Sequence, residues 1–328
     1  MKARQTNIFE PVDIPEAFAL LEMTRIGLFC KKGGFYLDPV RVVDIAVISH
    51  AHSDHAVRGH RMVVCSEPTA ELMKMRMGEN AAGEFKILKF GESFQIGNVK
   101  ITLIPAGHML GSSQVLMETG GLKHLYTGDF KVQSDASCEA FESVEADVLY
   151  TESTFAHPRY KHPDPVVEIQ KLNELNHDKI MIGCYSIGKA QRLTSLISKH
   201  CPEILILVHH ELVRGHKMYE KFGFDLGSWK RYNKKYLKNN AKIVYLVPPT
   251  EFRNFKDSKE FITIFATGWD WVKGSSRITL KISDHADWYD LKDVINKMNP
   301  KMIYTLHGDG KHLQYHYAMK GMKISMLQ

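Results

Sequence analysis

Four side chains able to hold a metal fall within six consecutive positions of this 328-residue chain: His50, His52, Asp54 and His55, in the run Ser49-His50-Ala51-His52-Ser53-Asp54-His55. In a dry setting such a group is costly unless a cation satisfies it. The preceding residues 43–48 read as a short buried strand. A strand end followed by a tight turn aims His50 and His52 at one point, and the next turn aims Asp54 and His55 at a second. Hydrolases that use two metals hold them about 3.5–4 Å apart, so the spacing suits a binuclear centre. The blander reading, a histidine-rich surface loop, leaves the density of ligands and the interposed aspartate unexplained.

Five more polar residues follow runs that read as strands. They are His108 in Ala106-Gly107-His108-Met109-Leu110-Gly111-Ser112-Ser113, Asp129 in Tyr126-Thr127-Gly128-Asp129, and Glu152 in Tyr150-Thr151-Glu152-Ser153-Thr154. His285, in Ser283-Asp284-His285-Ala286-Asp287, and His307, in Leu306-His307-Gly308-Asp309-Gly310, complete the set. Singly, a strand-end histidine or acid caps a helix or fills a core. Five of them beside the first cluster point to one site assembled from many strand ends.

The elements that would position these residues come in two styles. Residues 27–29 and 35–38 read as paired strands around Lys31-Lys32-Gly33-Gly34, with Asp38 arriving just before the cluster. Further strands are expected at 62–65, 85–90, 93–105 with a turn at Gly97-Asn98, 113–118, 122–127 and 148–151. Ser66 caps a helix with Pro68 in its first turn and Gly78 at its end. From Pro165 on, strands (179–185, 204–208, 243–247) alternate with helices (165–176, 188–200, 211–222), which predicts a parallel sheet. Strands at 277–283 and 302–306 flank Trp288, Leu291, Val294, Ile295 and Met298 at helical spacing, behind Asp287 as N-cap.

Composition is that of a soluble globular protein, 44% hydrophobic and 24% charged. No apolar run reaches the roughly 18–20 residues of a membrane span, so no membrane partner is expected. Met1-Lys2-Ala3-Arg4-Gln5-Thr6-Asn7 has no apolar signal-peptide core behind it. The five cysteines are scattered and odd in number, which reads as buried thiols in a reducing compartment, the cytoplasm. Of the net charge of +6, residues 185–268 carry 15 Lys and Arg against 7 Asp and Glu, an excess of eight, and the remainder is −2. A basic block beside a metal cluster suggests a polyanionic substrate.

His50-Ala51-His52-Ser53-Asp54-His55, His108 and Asp129 together resemble the metallo-β-lactamase fold. Glu152, His285 and His307 resemble the three additional motifs of the β-CASP nucleases, a group that includes ribonuclease J and the endonuclease of pre-mRNA 3′-end processing. Gly27-Leu28-Phe29-Cys30, Phe35-Tyr36-Leu37-Asp38-Pro39, Thr151-Glu152-Ser153-Thr154-Phe155, Gly188-Lys189-Ala190-Gln191-Arg192 and Ser283-Asp284-His285-Ala286-Asp287-Trp288 are similar to the bacterial ligase-associated DNA exonucleases. The resemblance implies an α/β protein, an αββα sandwich of two mixed sheets with an inserted β-CASP domain. Its expected parts are residues 1–184, the insertion at 185–268, and 269–328 completing the sandwich. It implies one divalent metal on His50, His52 and His108, a second on Asp54, His55 and His307, and Asp129 bridging both. Such ligands suit zinc, with manganese the alternative. Asp38 would stand behind the ligands and fix a histidine tautomer. Water activated between the metals, with Asp54 among its holders, would attack phosphorus, and His285, oriented by Glu152, would protonate the leaving oxygen. Ser112, Ser113, Gly188, Lys189 and Arg192 are the expected substrate contacts. A DNA ligase or helicase is the expected protein partner. The short insertion and the absence of an appended RNA-binding domain favour DNA over long structured RNA.

Residues 183–190 also come close to a phosphate-binding loop, but that pattern wants Ser or Thr after the lysine, and Ala190 stands there. Three classes of function remain: a metal-dependent DNA exonuclease in repair, an RNA-processing ribonuclease, and a hydrolase of small thioesters or lactams. Glu152, His285 and the basic block argue against the last. A degenerate binding subunit would have lost ligands, and all the expected ones are present.

Overall fold

Strands at the start of the chain are laid down in spatial order. In the computed structural model, which describes residues 16–238, 241–254, 258–270, 278–308 and 310–327, the first sheet runs β1 (Leu21–Met23), β2 (Leu28–Cys30), β3 (Phe35–Leu37), β4 (Ile45–Val47), β5 (His60–Cys65) and β6 (Ala82–Ile87). β1 to β3 are antiparallel and β3 to β6 parallel. Gly34 takes φ +69° in the β2–β3 turn, a conformation that costs glycine least. Between β5 and β6 lies α1 (Glu67–Met77). Its cap, Ser66, accepts from the Thr69 amide, and Gly78 ends it, both as expected.

β7 (Ser93–Ile96), β8 (Val99–Pro105), β9 (Ser113–Thr119) and β10 (Leu122–Tyr126) form an antiparallel meander, and β11 (Val148–Glu152) joins β10 in parallel. The chain then leaves through α2 (Pro165–Glu174) to build a separate, all-parallel sheet. Its elements are β12 (Lys179–Gly183), α3 (Lys189–His200), β13 (Leu205–Val208), α4 (His210–Lys221), β14 (Lys230–Arg231), β15 (Ile243–Val247), α5 (Pro249–Asn254), β16 (Ile262–Ala266) and β17 (Ile278–Leu280), in the order β14-β13-β15-β12-β16-β17. It returns through α6 (Trp288–Met298), β18 (Met302–Leu306), α7 (Lys311–Ala318) and β19 (Lys323–Met326), which extend the second sheet beside β11.

Packing follows the apolar faces. Leu28, Phe35, Val47 and Val64 of the first sheet meet Ile101, Leu103, Met117 and Tyr150 of the second. α1 covers the outer face of the first sheet through Leu72 and Met73, and α6 and α7 cover that of the second through Leu291, Ile295 and Leu313. Helix, sheet, sheet, helix is the αββα sandwich expected, carrying an inserted α/β domain. α4 also reaches the sandwich: Tyr219 is fully buried beside α1, and its hydroxyl accepts from the Leu110 amide at 3.2 Å. No helix among the described residues is long and apolar enough to cross a membrane.

Around the expected insertion at 185–268, the parallel sheet begins at Lys179 and ends at Leu280, and Ile169 and Leu172 of α2 pack on it. The charge step at 185 marks where basic residues begin, whereas the hydrogen-bonded sheet begins one strand earlier. β1, β14, β16, β19, α5 and α7 were not expected; they are short, which leaves little room for a period to show. Of the stretches read from the sequence, residues 1–7, 239–240 and 255–257 of the basic block, Arg277 and Asp309 lie outside the described residues.

Candidate metal centre

The cluster residues sit where strands run out. β3 ends at Leu37, and Asp38 follows with φ +43°, turning its carboxylate toward the end of β4. There it accepts four hydrogen bonds: from the Ser49 amide (2.7 Å) and hydroxyl (2.5 Å), from His55 Nδ1 (2.8 Å) and from the Tyr126 hydroxyl (2.9 Å). After β4 the chain curls, with the His55 and Ala56 amides both donating to the His52 carbonyl. That turn gathers His50, His52, Asp54 and His55 at one end of the sandwich.

His50, His52 and His108 form a tight triangle. His50 Nε2 and His108 Nε2 each stand 3.1 Å from His52 Nδ1. Nitrogens bound to one tetrahedral zinc at about 2.0–2.1 Å lie roughly 3.3–3.4 Å apart. The outer nitrogens are committed: His52 Nε2 to the Ile187 carbonyl (3.0 Å), His108 Nδ1 to the Asp284 carbonyl (2.6 Å) and His50 Nδ1 to Ser49 Oγ (3.0 Å). A carbonyl only accepts, so His52 and His108 carry their protons on the outer nitrogens and turn bare lone pairs toward each other. Burial, then neighbouring histidines, hold His50 and His108 well below the ordinary imidazole range. Two facing lone pairs repel, and a cation between them removes the conflict. The residues therefore fit a metal ion.

The second group is more open. Asp129, just after β10, places Oδ2 3.3 Å from His55 Nε2, 3.7 Å from His50 Nε2 and 4.0 Å from His108 Nε2, so it faces both groups. Asp54 Oδ2 lies 3.8 Å from His55 Nε2 on the exposed side. His307 opens the loop after β18 with φ +49°, its ring 5.2 Å from that of His55. Among the described residues, its nitrogens join none of the close groups of ligand atoms. Burial opposes a charge on His55, but Asp129 and Asp38 outweigh it and hold that imidazole well above its ordinary range. This position favours positive charge, and a cation at Nε2 can take the proton's place.

His285 stands beside both groups on another footing. Its Nδ1 is 2.9 and 3.1 Å from the two oxygens of Glu152, and its ring is 4.8 Å from that of His108. Glu152 is buried at the end of β11 and is held by the Phe130 amide (2.8 Å). Burial disfavours the imidazolium, but Glu152 and then Asp129 raise its pKa to about 9. A cleft of about 560 Å³ lies over these residues, lined by His52, Asp54, His55, Asp129, His285, His307 and by Tyr185 and Trp269 of the inserted domain.

The model of a Beta-lactamase superfamily domain matches residues 31–210, and that of a Zn-dependent metallo-hydrolase RNA specificity domain matches residues 272–324. The chain belongs to the metallo-β-lactamase superfamily. The second match and the inserted parallel sheet place it in the β-CASP branch. It is 32% identical over 300 residues to a probable DNA ligase of Opitutus terrae, covering 86% of this chain and 28% of that protein. It is 31% identical over 187 residues to an RNase J-like protein of Methanocaldococcus jannaschii, covering 49% of this chain and 44% of the other. The chain thus spans less than half the length of these relatives. Its fold is similar to a crystal structure of a protein of unknown function from Enterococcus faecalis V583, with TM-score 0.60, 15% identity and coverage of 87% and 79%.

Four of the substrate contacts expected in this metallo-β-lactamase chain are committed to internal bonds, and a fifth, Lys189, is nearly so. Ser112 Oγ accepts from the His108 and Met109 amides (3.0 and 3.1 Å), and Ser113 Oγ donates to the Gly111 carbonyl (3.1 Å); both side chains are buried. They shape the loop that carries His108. The Gly188 amide donates to Gln191 Oε1 (2.9 Å), and the Ala190 amide to the Tyr185 carbonyl. Arg192 is 1% exposed, donates to Ser283 O and to Gln133 Oε1 (3.0 Å), and pairs with Asp284 (3.3 Å) and Asp135 (3.5 Å). Lys189 reaches the cleft wall but is 3% exposed and pairs with Asp284 at 3.1 Å; burial lowers its pKa to about 8. A basic helix start looks the same in sequence whether its partner is a ligand or a buried aspartate. Sequence reasoning missed Asp284, whose main-chain carbonyl holds His108 and whose carboxylate pairs with Lys189 and Arg192. It also missed the Ile187 carbonyl and Tyr126, because backbone and hydroxyl partners leave no spacing signal.

Proposed function

We propose that this chain is a metal-dependent nuclease that hydrolyses phosphodiester bonds of nucleic acid, specifically a DNA exonuclease of repair. The observation that carries this reading is the Glu152–His285 pair standing beside two ligand groups in one cleft. His50, His52 and His108 would hold one ion, and Asp54, His55 and His307 the other, with Asp129 between them. Nitrogen and carboxylate ligands favour zinc, with manganese second. Bound divalent cations supply Lewis acidity and a nucleophilic water near neutral pH. Asp38 keeps the His55 proton on Nδ1, so Nε2 faces inward. Glu152 keeps a proton on His285 Nδ1 and favours the imidazolium, leaving Nε2 as the acid that protonates the departing oxygen. Small lactams and thioesters carry no polyanionic backbone for a basic domain to meet.

DNA is favoured by the match that runs along 86% of the chain to a protein named as a DNA ligase. That match also supports a ligase as partner. Five buried, unpaired thiols support the cytoplasm. RNA processing is the second reading, favoured by the RNase J-like relative and by the description of the model matched at 272–324. The test is end-labelled linear and circular DNA and RNA with Zn²⁺ or Mn²⁺. Stepwise shortening of linear DNA is expected, with circles resistant. Rapid cutting of circles, or activity on RNA alone, would overturn the DNA exonuclease reading.

A further inference from the structure

The cleft has an aromatic wall that the metal chemistry does not use. Trp269 follows β16 and is 42% exposed, and Tyr185 follows β12 and is 62% exposed; both line the cleft. What sets these two apart from other exposed aromatics is that both line the cleft that holds the candidate metal ligands. Trp269 is nonetheless fixed in place. Its ring packs on Phe155 at 4.6 Å between centroids and edge-on against Tyr160 at 5.5 Å, and its amide donates to Thr267 Oγ1 at 3.1 Å. The loop can approach so closely because residue 268 is glycine: a Cβ there would lie 2.7 Å from Ser283 and 2.8 Å from the Phe155 ring. Phe155 in turn is 6.0 Å from the ring of His285, so one side chain buttresses the platform and borders the acid.

We propose that Trp269 is a nucleobase-stacking subsite, with Tyr185 completing the wall, that takes the base next to the cleaved bond on the leaving-group side. The assignment rests on the nuclease reading, since His285 defines that side. Every base has a π-face, so the subsite tolerates all sequences but requires an unpaired base. It therefore selects single strands and frayed ends over intact duplex. Removing one base–aromatic stack weakens binding about 5- to 150-fold.

The experiment uses the metal-loaded full chain and single-stranded DNA with either an ordinary base or an abasic residue at the leaving-group nucleotide. A parallel oligonucleotide carries 2-aminopurine there and reports stacking by quenching, without cleavage. Wild-type protein is expected to prefer the intact base by about 5- to 150-fold, Trp269→Phe to keep most of that ratio, and Trp269→Ala to bring it near one and abolish quenching. Partial misfolding would scale the rates on both substrates by one factor, so the ratio reports only the folded protein. A wild-type ratio near one, or a ratio kept by Trp269→Ala, overturns the subsite while leaving the nuclease. Quenching without any cleavage would instead sink the nuclease reading and keep the subsite.

Discussion

A histidine offers a lone pair to a metal only when its other nitrogen has somewhere to donate. Here those outer partners are two backbone carbonyls, a hydroxyl and the Asp38 carboxylate. The candidate ligands could be picked out in the sequence because residue type and spacing mark them, and Asp38 because it stands just before the cluster. The carbonyls of Ile187 and Asp284 could not, because any residue supplies one. His285 and His307 look alike in sequence, yet the structure gives only His285 a buried carboxylate. We expect His285→Ala to keep its metal while losing roughly 10²–10⁴ in turnover, and His307→Ala to lose metal as well as rate. Metal analysis with single-turnover kinetics on both variants decides this, and the reverse pattern would exchange the two assignments. The raised pKa adds a pH signature. A proton held on His285 up to about 9 is lost as pH rises through that value, so activity falls on the alkaline side. Glu152→Gln removes the largest favourable influence on that proton and should move the alkaline limb to lower pH. Bound cations lower both curves, and the gap between them remains.

Turns and caps made the elements around the site predictable. Ser66 also shows how an element's end can serve the site: besides capping α1, its hydroxyl donates to the Gly111 carbonyl at 2.6 Å, in the loop that carries His108. What sequence could not separate was a basic helix start that binds a ligand from one that plugs into the fold. In α3 the basic residues of that start pair within the fold. Lys189 and Arg192 from α3, Lys131 and Asp135 from the loop after β10, and Asp284 from the loop before α6 form one buried set of charges. Breaking such a set by removing one partner leaves an uncompensated buried charge and typically costs about 3–5 kcal/mol. Asp284→Ala should therefore lower the urea midpoint markedly. Asp284→Asn, which keeps the side-chain shape without its charge, should lower it less and leave more metal bound, although both variants retain the main-chain carbonyl that holds His108. Equal metal loss in both variants would show that the charge, not the backbone position, governs the centre.

At the scale of the molecule, charge is divided between the parts. The basic excess lies in residues 185–268, and Lys189 and Arg192 of α3 are buried, so other cations of the block carry its exposed charge. Lys230, Arg231, Lys234, Lys235 and Lys238 are all exposed around β14 and the turn after it. If these meet the backbone of nucleic acid, Lys234→Ala with Lys235→Ala should flatten the dependence of log K on log salt by about 0.7–0.9 for each phosphate no longer neutralised. An unchanged slope would move the binding face to another surface. The same view of the whole molecule bears on how the protein is made. The early histidines leave the ribosome first, but His52 depends on a carbonyl at residue 187 and His108 on one at residue 284. Until residues 187 and 284 are in place, the candidate ligands His52 and His108 lack the partners that set their tautomers. The metal centre cannot be complete until both the inserted domain and the returning strands have docked. Completing the candidate cofactor site is therefore coupled to the closing of the sandwich.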